Sequence, residues 1–187
     1  MKKLILNLLF AFCCVNLILE AAPAQVFIIR HAEKPASGDS LSTKGRERAA
    51  ALVPYFMETK ELLNYGPPVA VYAMSPSKAN PSERPIETVK GLAEALKVTL
   101  NSSYERDGYK KMVEDIMNDT SNHGKTVLIC WEHQLIPEIA RAFKAFQTPG
   151  KWQNEVFDRI WIVNLNQGGK VSFQNVPQKL MFGDSSS

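Results

Sequence analysis

Three apolar runs along the chain stop abruptly on polar residues. Gln25 to Arg30 (QVFIIR), Val69 to Met74 (VAVYAM) and Lys125 to Trp131 (KTVLICW) are short and nearly continuous in apolar character, the pattern of strands buried on both faces. Between them the apolar spacing becomes helical. Ser42 or Thr43 is placed to cap a helix reaching about Met57, with Ala49, Ala50, Leu52, Val53 and Phe56 as its apolar side. Asn64-Tyr65-Gly66-Pro67-Pro68 breaks the chain before the second strand. Ser82 is placed to cap a helix through about Leu96, whose first turn tolerates Pro85. A short strand near Val98 to Leu100 is predicted next, then a helix from about Tyr109 to Asn118. A further helix, from about Ile136 to Phe146, follows the third strand directly. Asp158 to Leu165 and Lys170 to Val176 read as two strands around Asn166-Gln167-Gly168-Gly169, a hairpin signal. Strands alternating with helices predict an α/β layered domain with a largely parallel sheet.

A length of 187 residues suits a single domain. The first stretch differs from the rest: Met1-Lys2-Lys3, an apolar segment from Leu4 to about Leu19, then Ala22-Pro23-Ala24. A basic start, an apolar middle and an A-x-A site predict a secretory signal peptide over 1–24, cleaved after Ala24, and export to the periplasm or outside the cell. A membrane anchor is disfavoured because Asn7, Asn16 and Glu20 interrupt a run already short for a span. Export therefore leaves a domain over 25–182, with no membrane partner after cleavage, and a Ser-rich end over 183–187 expected to be disordered. The net charge of +3 falls by one when Lys2, Lys3 and Glu20 are removed. A balance so close to neutral argues against nucleic acid as a partner. Cys13 and Cys14 leave with the leader, so Cys130 stands alone and forms no internal disulfide.

The polar residues at the strand ends carry the candidate chemistry. The first strand runs into Arg30 and His31, the third into His133, and the second ends at Ser75 with Arg84 shortly after. In open α/β sheets the carboxyl ends of parallel strands form one crevice, where ligands bind. Two guanidiniums and two imidazoles suit a tetrahedral dianion: arginine offers phosphate oxygens a fixed fork of donors, and a neutral histidine is a nucleophile. The second histidine can donate to oxygens as charge develops, and no metal or other cofactor is required. A carboxylic acid must still protonate the leaving oxygen.

The motifs RHAEKP (30–35), SPSKANPSERPIETV (75–89) and CWEHQLIP (130–137) together resemble the histidine phosphatase superfamily, in its small branch without a cap domain; WQNEVFDRIWIV (152–163) is similar to that branch as well. The resemblance spans the chain beyond the leader and implies a three-layer, phosphoglycerate mutase-like α/β/α sandwich. It implies that His31 is phosphorylated, that Arg30 and Arg84 clamp the phosphate, that His133 completes the pocket and that Lys34 touches phosphate. The proton donor implied between the second arginine and second histidine falls on Tyr104-Glu105-Arg106-Asp107, and Glu105 is chosen; Asp107, Glu132 and Glu33 stay open. Two positions depart from the usual pattern, Ala32 where R-H-G is common and Glu132 where G-H is common. Glu132 is placed either to compete for the arginines or to serve as acid.

The implied activity is a metal-independent phosphomonoesterase acting on a phosphorylated small molecule or a phosphoprotein. A non-catalytic phosphate-binding relative is the alternative that the two departures keep open, against the retention of both histidines and both arginines. A metal-dependent hydrolase is opposed by the arginines and by the lack of an HExxH-type spacing. A cysteine phosphatase is excluded because no arginine lies a few residues after Cys130. His123 is expected to face solvent, Lys44, Arg46 and Arg48 to form the wet side of a helix, and Trp131, Trp152 and Trp161 to pack in the core.

Overall fold

The computed structural model describes residues 22–165 and 170–185. Six strands form one sheet: β1 (Gln25–Arg30), β2 (Ala70–Met74), β3 (Leu100–Tyr104), β4 (Thr126–Trp131), β5 (Arg159–Leu165) and β6 (Val171–Pro177), in the order β3-β2-β4-β1-β5-β6. β3, β2, β4 and β1 run parallel, while β5 and β6 are antiparallel. The alternation of side chains explains both flanking layers. Phe27, Ile29, Val71 and Ala73 face one core with Leu52 and Phe56 of α1 (Thr43–Glu58) and Val89 and Leu92 of α2 (Arg84–Leu96). Val26, Ile28, Tyr72 and Met74 face the other, with Met112 and Ile116 of α3 (Tyr109–Asn118) and Ile136 and Ile139 of α4 (Ile136–Ala142). This is the predicted three-layer α/β/α sandwich. Trp131, Trp152 and Trp161 lie in the core as expected, and so does Cys130, whose thiol is pushed up by burial.

Several elements depart from expectation for local reasons. β3 begins at Leu100 and reaches Tyr104, instead of Val98 to Leu100, because α2 ends on Lys97 in the left-handed region (φ 57°). That shift carries Tyr104 to the carboxyl end of a strand. α4 ends at Ala142 instead of Phe146, since Lys144 turns left-handed (φ 65°) and Ala145 N–H closes back on Ala140. Ser42 caps α1 by accepting from Gly45 N–H at 3.0 Å, whereas α2 has no side-chain cap and Ser82 accepts from Arg84. His123 is half-buried, not solvent-facing, with Nε2 enclosed.

The largest correction concerns α1. Its inward stripe is Gly45, Arg48, Leu52 and Phe56, so Ala50 is exposed and Arg48, expected on the wet side, is only 2% exposed. Arg48 donates to both oxygens of Glu33, to both oxygens of Asp184 and to Gln178. Gly45 is required here, because a Cβ would stand 2.3 Å from the Glu33 carbonyl oxygen. The same network anchors the end of the chain: Asp184 also accepts from Leu180 and Met181 N–H, and Ser185 N–H donates to Asp158. Of the end expected to be disordered, Gly183 to Ser185 are thus tied to the domain, while 186–187 lie outside the described residues. So does most of the expected leader, residues 1–21; Ala24 is buried, donates to Lys125 and accepts from Leu165.

Candidate active site

Register brings the strand ends level. Arg30 pairs with Trp131, Ala73 with Cys130, and Met74 with Tyr104. His31, Glu132, Ser75 and Glu105 therefore begin the same rung beyond the sheet, and His133 follows. The crevice foreseen at the carboxyl ends exists in part, as a cavity of 470 Å³ lined by Arg30, Lys34, His133, Asn154, Glu155 and Phe157 among others; His31, Arg84 and Glu105 are not in its lining.

His31 is buried, and its backbone N–H extends the ladder by donating to Trp131. Its Nδ1 lies 2.7 Å from the carbonyl oxygen of Ala32. A carbonyl only accepts, so Nδ1 carries the proton and Nε2 is left with the lone pair. Burial, reinforced by the charges of Arg30 and Arg84, pushes the imidazole down to about 3 against the pull of the Ala32 bond. The adjacent segment is fixed by Thr88, whose hydroxyl accepts from Ala32 N–H at 2.9 Å and donates to the Arg84 carbonyl at 2.7 Å. Ala32 takes no positive φ and is fully enclosed, so its methyl group is accommodated without backbone strain.

This burial has a measurable consequence. An unfolded chain holds the histidine near 6.5, so between pH 6.5 and about 3 the unfolded state binds a proton that the folded state does not. Stability from this group is therefore fully present above that window and falls as pH drops through it, by up to about 5 kcal/mol. Urea unfolding at pH 7, 5 and 4 is expected to show a shallower acid decline in His31→Asn than in the native chain. Equal slopes would contradict a buried neutral imidazole.

Arg30 reaches across to the segment before β5. Nη1 donates to the carbonyls of Asn154 and of Val156 (3.1 Å), and the guanidinium carbon sits 3.8 Å from the Phe157 ring centroid. Burial pushes it down to about 10, opposed by Glu155, yet it stays charged at neutral pH. Its Nε is buried and has no hydrogen-bond partner among the described residues. Arg84, half-buried, spends its fork on the carbonyls of Gly38 and Ser40 and on the Ser82 hydroxyl. It does not line the cavity, although its field reaches both Arg30 and His31. His133 is half-buried and pushed down by burial and by Arg30; its Nε2 lies 2.9 Å from Asn154 Oδ1. Lys34 is exposed at the rim.

The four candidate acids separate cleanly. Glu33 is bound to Arg48. Glu132 accepts from the backbone N–H groups of Gln134 and Leu135 at 3.0 and 3.1 Å and pairs with Arg106 at 3.2 Å. It therefore shapes the turn into α4 instead of competing for Arg30 or Arg84. Asp107, 85% exposed on its side chain, pairs with Arg106. Glu105 is exposed at the end of β3, and its carboxylate has no hydrogen bond or ion pair among the described residues. Sequence reasoning assigned no role to Asn154, Glu155 and Phe157, although they stand within the WQNEVFDRIWIV stretch; their place beside Arg30 gives them one.

Among solved structures, the protein histidine phosphatase SixA complexed with tungstate superposes with a TM-score of 0.59 at 19% identity, covering 82% of this chain and 97% of that one. The chain has the phosphoglycerate mutase-like fold. A phosphoglycerate mutase from Bacillus anthracis str. Sterne superposes with a TM-score of 0.51 at 12% identity, covering 84% and 94%. Both neighbours are members of the histidine phosphatase superfamily, in keeping with the resemblance read from the sequence. No family model matches the sequence, and no curated protein matches it.

Proposed function

We propose that this protein is a metal-independent phosphomonoesterase working through a phosphohistidine on His31, with Arg30 and Lys34 as phosphate contacts and Arg84 as a second clamp once its fork turns from the Gly38 and Ser40 carbonyls. The observation that carries the reading is the His31 imidazole with its proton fixed on Nδ1, beside a buried arginine whose Nε has no hydrogen-bond partner among the described residues. Nε2 attacks phosphorus in line; the P–O ester bond breaks and the leaving oxygen takes a proton from a carboxylic acid. Water then attacks the phosphohistidine, the P–N bond breaks, and the proton returns to the carboxylate. Arg30 and His133 stabilise the charge on the equatorial oxygens in both steps, joined by Arg84 once its fork is turned to the phosphate. Two guanidiniums beside the reacting phosphate also oppose a metal cation electrostatically.

Glu105 is the acid in this scheme. It lies three strand positions from His31 on the same rung, about 14 Å at the usual strand spacing. Two side chains with a phosphoryl group between them fill such a span. Glu105→Gln is expected to lower kcat about a hundredfold on an alkyl phosphate and much less on p-nitrophenyl phosphate, whose leaving group needs no proton. A loss in Glu155→Gln but not in Glu105→Gln would move the role to Glu155.

The substrate class is a phosphorylated small molecule or a phosphoprotein. Export through the N-terminal leader belongs to the same proposal, and mature protein isolated from its host would then begin at Gln25. The direct test is a rapid acid-free quench of the EDTA-treated protein with substrate, followed by mass spectrometry. An added phosphoryl group on the peptide carrying His31, labile to acid, supports the reading. Turnover that disappears with EDTA and returns with a divalent ion would overturn it in favour of a metal-dependent hydrolase, and phosphate binding without turnover would favour a non-catalytic relative.

A further inference from the structure

Asn154 is the residue through which the loop before β5 touches both strand ends of the site. Its main-chain carbonyl accepts from Arg30 at the end of β1, and its side-chain Oδ1 lies 2.9 Å from Nε2 of His133 beyond the end of β4. The other ring nitrogen of His133, Nδ1, is 3.9 Å from Glu132 Oε2, outside hydrogen-bond range, and that carboxylate is already engaged by Gln134 and Leu135 N–H. Nε2 is therefore the nitrogen of His133 whose hydrogen bond sets the tautomer. An amide oxygen only accepts, so this bond places the proton on Nε2.

We propose that Asn154 is a positioning residue that holds His133 as the Nε2–H tautomer with its donor turned toward the cavity both residues line. The catalytic part of this rests on the phosphatase reading above. A phosphoryl oxygen entering the cavity takes the Nε2–H bond in place of Asn154 Oδ1, exchanging one acceptor for another without moving the ring proton. Without Asn154, the neutral ring is free to put its lone pair on Nε2, and that form repels an anionic oxygen. The loop keeps its hold on Arg30 whatever the side chain at 154, because that contact is made by the backbone carbonyl. Asn154 is itself exposed, so changing its side chain removes little packing.

The charged groups around His133 are Arg30 from β1, Glu33 and Lys34 after it, Glu132 on its own turn, and Glu155 on the loop. They make a proton-resolved test informative. Long-range proton–nitrogen NMR of the full domain, native and as Asn154→Ala and Asn154→Asp, reads the tautomer of His133 and its titration directly. The native chain is expected to show the Nε2–H form. In Asn154→Ala both tautomers should appear, with kcat on p-nitrophenyl phosphate about tenfold lower, KM nearly unchanged and the urea midpoint unmoved. Asn154→Asp keeps an acceptor, so the Nε2–H form should persist; its added charge should raise the titration midpoint of His133 and raise KM by repelling the substrate. An Nε2–H tautomer that persists unchanged in Asn154→Ala overturns the proposal, and so does a kcat loss accompanied by an equal fall in stability. The NMR arm reads the same way in a protein that never turns over, which separates failure of this inference from failure of the phosphatase reading.

Discussion

His31→Ala is expected to abolish phosphate-ester turnover, lowering kcat on p-nitrophenyl phosphate by at least about 10⁴-fold, as removal of a covalent nucleophile does elsewhere. The alanine deletes a group whose lone pair the fold holds ready: Nδ1 is committed to the Ala32 carbonyl, and Nε2 has no proton to lose. It leaves the main phosphate contact in place, since Arg30 is anchored by the Asn154 and Val156 carbonyls. Inorganic phosphate should therefore bind the variant within about tenfold of the native affinity. The paired measurement is steady-state kinetics beside phosphate titration by calorimetry. Residual activity within tenfold of the native chain would rule out a phosphohistidine at this position, whereas lost binding together with lost turnover would point to collapse of the strand end.

Arg48→Ala is expected to cost about 3–5 kcal/mol of folding stability, the usual penalty for leaving a buried carboxylate without its partner. Here two are left, on Glu33 and Asp184, whose side chains are 12% and 4% exposed. Arg48→Lys should recover only part of the loss, because an ammonium cannot span both carboxylates as the guanidinium does at 2.7 to 3.1 Å. The effect should also be local: with Asp184 released from Arg48, the segment after β6 loses one of its anchors and is cut sooner by protease than the rest of the chain. Urea midpoints and timed proteolysis of the three proteins check both parts. A difference below about 1 kcal/mol would mean that the network is open to water and contributes as a surface ion pair does. Glu33 is two residues from His31, so kcat is expected to fall in the same series even where the variants remain folded.

Much of the sheet was legible because burial on both faces leaves a coarse mark. A strand such as QVFIIR must be apolar throughout, and the point where the apolar run ends is the point where the sheet ends, so the expected bounds of β1 match the observed Gln25–Arg30. Elements that are half-exposed leave a fainter mark. β3, with its mixed burial, was placed too early because Val98 and Leu100 continue an apolar pattern through the left-handed turn at Lys97. The same limit hid Arg48. Helical spacing sets it in line with Leu52 and Phe56, but a charged side chain there reads as wet unless its partners are known. Those partners are 15 and 136 residues away along the chain.

The site divides in the same way. By itself the sequence determined which residue types stand at the strand ends, Arg30 closing β1 with His31 after it and His133 after β4, because strand ends follow from the local apolar pattern. It also determined that Arg84 opens a helix close after β2. Only the tertiary structure decided which nitrogen of His31 is free, which of four carboxylates is unengaged, and that a loop residue, Asn154, sits against both Arg30 and His133. Hydrogen-bond partners are matters of position in space, within about 3 Å. They are set by how strands distant in the chain are ordered and aligned, and local apolar pattern carries no record of that alignment.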